Sequence, residues 1–437
     1  TKSGSDWLEI YVVDIETKKL LTDKIEWIKF SGANWFRDGF FYNKYSEPKD
    51  GNTYTALNEY QMVYYHKLGT PQSEDILIYK DESNSLRSFW LSSSADEKFL
   101  FLNINENGKK GSQLFFKPAD LLFGNFTFLT NDKFEYYTYY IQNFENEIYL
   151  FTNENAPNGK VIKADADNLT APSLTVLPED DFPINNIGIT GNKIIAVYME
   201  DVINKVSVFT LGGKYMYGVK LPGEGCITGF SCKKNDDDIT FFTYESLATP
   251  PEIYIYDINK NTSQLFHRSE VNFNKDDFET KLIFYNSKDN TRIPMFIAHK
   301  KGITQNGNNP VYLYSYGGFN ISMNPVFSDS RILLMDSGGI FAMPCIRGGG
   351  EYGEGWHEAC MLKKKLNVFD DFISAAEYLI KEKYTNPAKL AIAGGSNGGL
   401  LIGAVLNQRP ELFRVAFPAV GVMDMLRFQK FSIGSAW

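Results

Sequence analysis

Lys389-Leu390-Ala391-Ile392-Ala393-Gly394-Gly395-Ser396-Asn397-Gly398-Gly399-Leu400 is the stretch whose reading decides the fold. Leu390 to Ala393 are apolar and follow the turn signal Asn386-Pro387, so they read as a strand. Gly394 to Gly399 holds four glycines in six residues, too costly in backbone entropy for the interior of a strand or helix. From Leu400 onward, Leu401, Ala404, Val405 and Leu406 recur at helical spacing. Strand, tight turn and helix, with Gly394-Gly395-Ser396-Asn397-Gly398 between them, fit the G-x-S-x-G nucleophile elbow. A serine on such a turn projects its hydroxyl above the sheet edge, and the positive end of the following helix points at it. Its neighbours are expected to be glycine, because side chains there would collide with strand and helix. The competing reading is a glycine-rich structural turn, and the strand–turn–helix context favours the nucleophile.

The segments around the elbow fit one α/β unit. Lys281–Tyr285 and Ile293–His299 read as strands around a Ser287–Asn290 turn, Val311–Tyr316 as a buried strand, and Ile340–Met343 as another. Phe369, Phe372, Ile373, Ala376, Leu379 and Ile380 trace one helical face. An apolar strand follows at Val415–Val420. Strands alternating with helices predict a parallel sheet, the α/β-hydrolase plan given the elbow.

Residues 1–270 repeat another theme, a short apolar-aromatic strand followed by a polar turn. The clearest copies are Glu9–Asp14 and Glu252–Asp257, with weaker echoes at Met62–His66, Gln113–Phe116, Glu147–Phe151 and Lys205–Phe209. Their uneven spacing, near 49 residues on average, points to a β-propeller, with a pair of β-sandwiches as the alternative. The polar segment Ser269–Asp277 reads as the connection, which gives domains at 1–270 and 271–437. Asp236-Asp237-Asp238 beside Lys233-Lys234 reads as a solvated hairpin tip.

A chain of 437 residues with 43% hydrophobic content can bury more than one core, and 15% aromatic content leans toward β structure. The net charge of −9 argues against a nucleic-acid or anionic-membrane partner. No run approaches the eighteen apolar residues of a spanning helix, and Thr1-Lys2-Ser3-Gly4 carries neither an initiator Met nor a signal-peptide pattern. The four cysteines, Cys226, Cys232, Cys345 and Cys360, have no metal spacing and are expected to be free buried thiols. No cofactor and no metal are expected.

A serine nucleophile needs a base, usually His, and a carboxylate to orient it. In this fold the chain order is Ser, then Asp or Glu, then His. His66, His267, His299 and His357 all precede Ser396. The sequence reading is therefore that the chain is truncated before its acid and base, and inactive as it stands. Asp424 and His357 are the nearest candidates, but the first has no later His to orient and the second stands in the wrong order; both read as structural. The backbone N–H of Asn397 supplies one oxyanion donor by construction. Tyr316, before Gly317-Gly318, is a second donor or a packed aromatic at a strand end.

Several motifs carry a resemblance. These are Tyr316-Gly317-Gly318-Phe319-Asn320, Arg347-Gly348-Gly349-Gly350-Glu351-Tyr352-Gly353, Gly394-Gly395-Ser396-Asn397-Gly398-Gly399, Asn407-Gln408-Arg409-Pro410 and Gly421-Val422-Met423-Asp424-Met425-Leu426. In the first half they are joined by Tyr64-Tyr65-His66-Lys67-Leu68-Gly69-Thr70 and Gln72-Ser73-Glu74-Asp75. Together they make the sequence resemble the prolyl oligopeptidase family of serine peptidases over nearly its whole length, and Asn397 resembles the prolyl endopeptidase branch. The resemblance implies a seven-bladed propeller, incomplete here with about one blade absent, and an incomplete α/β-hydrolase domain. It implies hydrolysis of short peptides on the carboxyl side of proline. Ser396 is then the nucleophile, Tyr316 and the Asn397 N–H the oxyanion donors, and Trp437, Phe319, Val422 and Ile433 the walls of a proline pocket. Without it, Val422 and Ile433 read as ordinary core residues. The acid and base are placed beyond Trp437. The implied partners are short proline-containing peptides, with no nucleic acid, no membrane, and a monomeric state. The expected compartment is the cytoplasm, with the periplasm as the alternative, since any signal peptide would precede Thr1. Competing functions are a related hydrolase, such as an acylaminoacyl peptidase or esterase, and a catalytically dead propeller binding module.

Overall fold

Alternation of apolar and polar residues makes the strands that run from Leu8–Val13 to Thr262–Arg268, and short polar turns make neighbouring strands antiparallel. The structure, a computed structural model, describes residues 6–49, 51, 53–130, 133–169, 173–230, 238–431 and 434. Five antiparallel sheets follow one another among these residues. The first has six strands, from Leu8–Val13 to Ile76–Lys80, and the other four have four strands each, ending with the sheet from Cys226–Gly229 to Thr262–Arg268. Serial four-stranded meanders of this kind are the blades of a β-propeller. The six strand echoes do not mark six blades. Glu9–Asp14 and Met62–His66 lie in the same first sheet, because a strand pattern carries no label for the sheet it joins. The hairpin tip read at Asp236–Asp238 falls largely outside the described residues, as does Cys232.

Packing divides the chain into two compact units, one of residues 1–155, 161–175 and 424–437, the other of residues 156–160 and 176–423. In the first unit Phe36, Phe41 and Val63 of the first sheet pack against Phe89, Leu91 and Leu102 of the second. Phe101 and Phe116 of the second sheet pack in turn against Ile148 and Leu150 of the third. In the second unit Val197 and Val208 of the fourth sheet meet Phe242 and Tyr256 of the fifth.

The second unit also holds a six-stranded sheet: β1 (Phe278–Asn286), β2 (Arg292–Lys300), β3 (Val311–Tyr314), β4 (Ile340–Pro344), β5 (Leu390–Gly395) and β6 (Val415–Ala419), in the order β1-β2-β4-β3-β5-β6. Strands β4, β3, β5 and β6 are mutually parallel. The sheet as a whole is mixed, because the two strands read around the Ser287–Asn290 turn join it as a hairpin. The turn between β1 and β2 is too short for a crossover, so those strands pair antiparallel, and β2 meets β4 antiparallel. Helices α1 (Asp329–Asp336), α2 (Glu354–Glu358), α3 (Leu366–Lys381) and α4 (Asn397–Gln408) complete the unit. Phe372, Leu379, Leu401 and Val405 of α3 and α4 cover Ile293, Met295, Leu313 and Ile392 on one face. Ile332 and Met335 of α1 cover Phe296, Ala298 and Phe341 on the other. β6 ends the strand order, with Phe417 half exposed.

Candidate active site

β5 ends at Gly395, paired with Ala419 of β6, and α4 begins at Asn397, so Ser396 alone makes the turn. Its φ of 53° and ψ of −116° lie where a residue with a Cβ is strained, at a cost of about 1–3 kcal/mol. Two bonds hold it there: the Ser396 N–H donates to the Ala419 carbonyl at 2.9 Å, and the Ser396 carbonyl accepts from the Leu400 N–H at 3.1 Å. The hydroxyl caps no amide of α4 and the residue is half-buried. A Cβ on Gly394 would sit 2.4 Å from the Gly398 carbonyl oxygen, and one on Gly398 would sit 2.8 Å from the Ser315 carbonyl oxygen. Gly395 differs from the expectation that every neighbour must be glycine: its Cβ would meet nothing within 4 Å. Collision constrains the flanking glycines of the motif, and not the residue directly before the serine.

The loop after β3 lies against the elbow. Asn397 Nδ2 donates to the Tyr316 carbonyl at 2.7 Å, and the Tyr316 ring comes within 3.5 Å of where a Gly398 Cβ would be. Asn397 Oδ1 accepts from Lys365 Nζ at 3.0 Å, and the same ammonium reaches the Gly317 carbonyl at 3.3 Å. The Asn397 N–H opens the first turn of α4, where an amide has no intrahelical acceptor. Ser396, Asn397 and Tyr316 are therefore brought together. Phe319 stands further along the Tyr316 loop, 50% exposed and with φ at 56°. Val422, half-buried, follows Gly421, whose Cα lies 2.6 Å from where a Cβ on Gly399 would sit. Ile433 and Trp437 lie outside the described residues.

The loop after β4 buttresses this arrangement. Arg347 donates to both Asp371 oxygens, from Nη2 at 2.6 Å and Nε at 3.0 Å, and to Asp289 at 2.6 Å. Ser287 Oγ donates to Asp371 at 2.5 Å. Burial pushes the Asp371 carboxyl up although the Arg347 and Ser287 bonds pull it down. Burial pushes the Asp289 carboxyl up as well, but the Arg347 bond and the Thr291 bonds together outweigh it and hold it at about 2. Glu351 is fully buried; Oε1 accepts from the Met323 N–H at 2.7 Å, and Oε2 has no hydrogen-bond partner among the described residues. Burial pushes its carboxyl up to about 7. Neither Lys365 nor Glu351 was a sequence candidate. Glu351 stands inside a quoted motif, but only the fold reveals that it is buried.

The histidines are engaged elsewhere or stand apart. His66 lies between Asp23 at 3.0 Å and Asp75 at 2.7 Å. His299 Nδ1 donates to the Lys300 carbonyl, His357 pairs with Glu354 at 3.2 Å, and His267 is exposed on the outer strand of the fifth sheet. Asp424 pairs with Arg427 at 2.6 Å, which holds its carboxyl below the usual range. Cys226, Cys345 and Cys360 are free and buried. Among the described residues no cluster of His, Cys, Asp and Glu could hold a metal ion, and no helix is long and apolar enough to cross a membrane.

Comparison with known proteins decides the family. A model described as the prolyl oligopeptidase N-terminal β-propeller domain matches residues 1–269, and one described as the prolyl oligopeptidase family matches residues 325–437. This chain belongs to the prolyl oligopeptidase family. The five sheets are accordingly propeller blades, against seven in the family, and the six-stranded unit is an incomplete α/β-hydrolase domain. A prolyl endopeptidase of Elizabethkingia meningoseptica is 40% identical over 100% of this chain and 62% of its own length. One of Dictyostelium discoideum is 38% identical over 100% of this chain and 64% of its own. A solved Galerina marginata prolyl oligopeptidase B, bound to a 25mer macrocyclization substrate, superposes with a TM-score of 0.92 at 31% identity. That match covers 99% of this chain and 63% of the other. The chain thus spans a little under two thirds of the length of these members of the prolyl oligopeptidase family.

Proposed function

We propose that the protein is a serine peptidase that hydrolyses short peptides on the carboxyl side of proline. The observation that carries this reading is Ser396 on a strained elbow, with the Asn397 amide and Tyr316 gathered beside it. Ser396 Oγ attacks the carbonyl carbon of the proline residue and passes its proton to a base. The negative oxygen that forms is held by the Asn397 N–H and the Tyr316 phenol, donors fixed before charge develops. The base gives that proton to the leaving nitrogen, so collapse expels a neutral amine and leaves an ester on Ser396, which water hydrolyses. We assign Phe319 and Val422 to the wall of the proline pocket, where a flat apolar ring stacks on an aromatic face. Each of the four histidines is bonded elsewhere or stands on a blade edge, so we place the base and its carboxylate outside residues 1–437. Those residues alone then show no Ser396-dependent cleavage.

The test compares chromogenic peptides carrying proline or alanine before the leaving group, with the full-length protein. A kcat/KM for proline higher by about two orders of magnitude supports the reading, since an unfilled pocket of ring size forfeits roughly 3 kcal/mol. Equal values would remove the proline pocket from the account.

A further inference from the structure

Lys365 is out of place by ordinary electrostatics. It stands at the N-terminal end of α3, where the helix dipole disfavours a cation. Its neighbours Lys363 and Lys364 are exposed, whereas Lys365 is half-buried, and burial lowers its ammonium below the usual range. Two acceptors answer for the placement, Asn397 Oδ1 at 3.0 Å and the Gly317 carbonyl at 3.3 Å. A carboxamide has one donor end and one acceptor end. With the ammonium fixed on Oδ1, Nδ2 faces the Tyr316 carbonyl, which it meets at 2.7 Å. Two successive carbonyls, of Tyr316 and Gly317, are thereby tied to one cation–amide clamp. The gap is tight, because a Cβ on Gly318 would fall 2.6 Å from Asn397 Nδ2. The clamp therefore spans the two segments that carry the oxyanion donors, the first turn of α4 and the loop of Tyr316.

We propose that Lys365 is a positioning residue for the oxyanion site. By orienting the Asn397 carboxamide and holding the Gly317 carbonyl, it sets the Tyr316 phenol at the right distance from the Asn397 N–H. The proposal rests on the oxyanion roles argued above. It adds a residue that touches neither substrate nor the reacting atoms, and it assigns a purpose to the Asn397 side chain, whose backbone alone is needed as donor.

The test uses the full-length protein and a chromogenic proline peptide. Lys365→Met keeps the apolar stem and removes the charge. The expected result is a kcat lower by about 10–100-fold, since a displacement near 1 Å has that order of effect, with KM within about twofold. Lys365→Arg, which keeps charge and donors, is expected to recover most of the loss. On a Tyr316→Phe background Lys365→Met is expected to cost less than about threefold, because the donor it positions is gone. If thermal melts show that the methionine variant does not fold, Lys365→Gln, which retains one donor, supplies the same comparison. An unchanged kcat, a loss confined to KM, or a full-sized loss on the Tyr316→Phe background would overturn the proposal while leaving the peptidase reading intact. A wild type without Ser396-dependent turnover would overturn both.

Discussion

Replacing Gly398 and Gly395 separately by alanine should give opposite results from substitutions that look alike in sequence. At Gly398 the new methyl would lie 2.8 Å from the Ser315 carbonyl oxygen and 3.4 Å from the Tyr316 Cα. Both are backbone atoms, so no side chain can swing aside, and the end of β3 has to move. Overpacking of this kind costs about 1–3 kcal/mol. Alanine in a helix recovers about 1 kcal/mol over glycine, so the net loss is up to about 2 kcal/mol. At roughly 2–4 °C per kcal/mol the melting transition of the second unit falls by up to about 8 °C. At Gly395 the methyl enters open space, and φ is outside the left-handed region. Restricting the unfolded chain then stabilises by about 0.4–1 kcal/mol. Differential scanning calorimetry on the two variants and the wild type measures both shifts under one condition. If Gly398→Ala melted above the wild type, or Gly395→Ala fell further than Gly398→Ala, the elbow would not approach the β3 loop as described.

Three further outcomes follow. Tyr316→Phe in the full-length protein is expected to lower kcat by about 10²–10³-fold with the fold unchanged, and an effect on stability alone would return Tyr316 to a packing role. Asp371→Ala leaves the Arg347 guanidinium without its buried partner and is expected to cost about 3–5 kcal/mol in chemical denaturation; a loss under about 1 kcal/mol would show that water reaches Arg347. Glu351 holds its proton to about pH 7 when folded, against an ordinary 4.5, so its contribution is complete below pH 4.5 and lost as pH rises through 7. Stability is expected to fall by about 3 kcal/mol across that window, and Glu351→Gln to flatten the fall; the same slope in both proteins would place the titration elsewhere.

The parts legible in the sequence are those set by local chemistry. The elbow announced itself because strand, glycine turn and helix each have a short-range signature. The apolar stripe from Phe369 to Ile380 likewise fixed the buried face of α3. Partner choice was not legible. The order β1-β2-β4-β3-β5-β6 and the sharing of one sheet by two strand echoes depend on tertiary pairing, which leaves no mark within a strand. α1 carries too weak an amphipathic pattern to stand out, and α2 has only five residues. Lys365 was hidden for another reason. In Lys363-Lys364-Lys365 it reads as one of a solvated charge run, and only the approach of Asn397 separates it from its neighbours. The need for glycine was overstated at Gly395, since whether a methyl collides depends on atoms brought in by the helix and the β3 loop.

The nucleophile is the claim on which the rest depends, and one experiment addresses it directly. The full-length protein and its Ser396→Ala variant are mixed with a chromogenic proline peptide, turnover is measured, and the acyl adduct is located by mass spectrometry after acid quench. The expected result is an ester on Ser396 in the wild type and a loss of kcat on the order of a millionfold in the variant, with an unchanged melt. A variant that kept most of its turnover, or an adduct on any other residue, would contradict it.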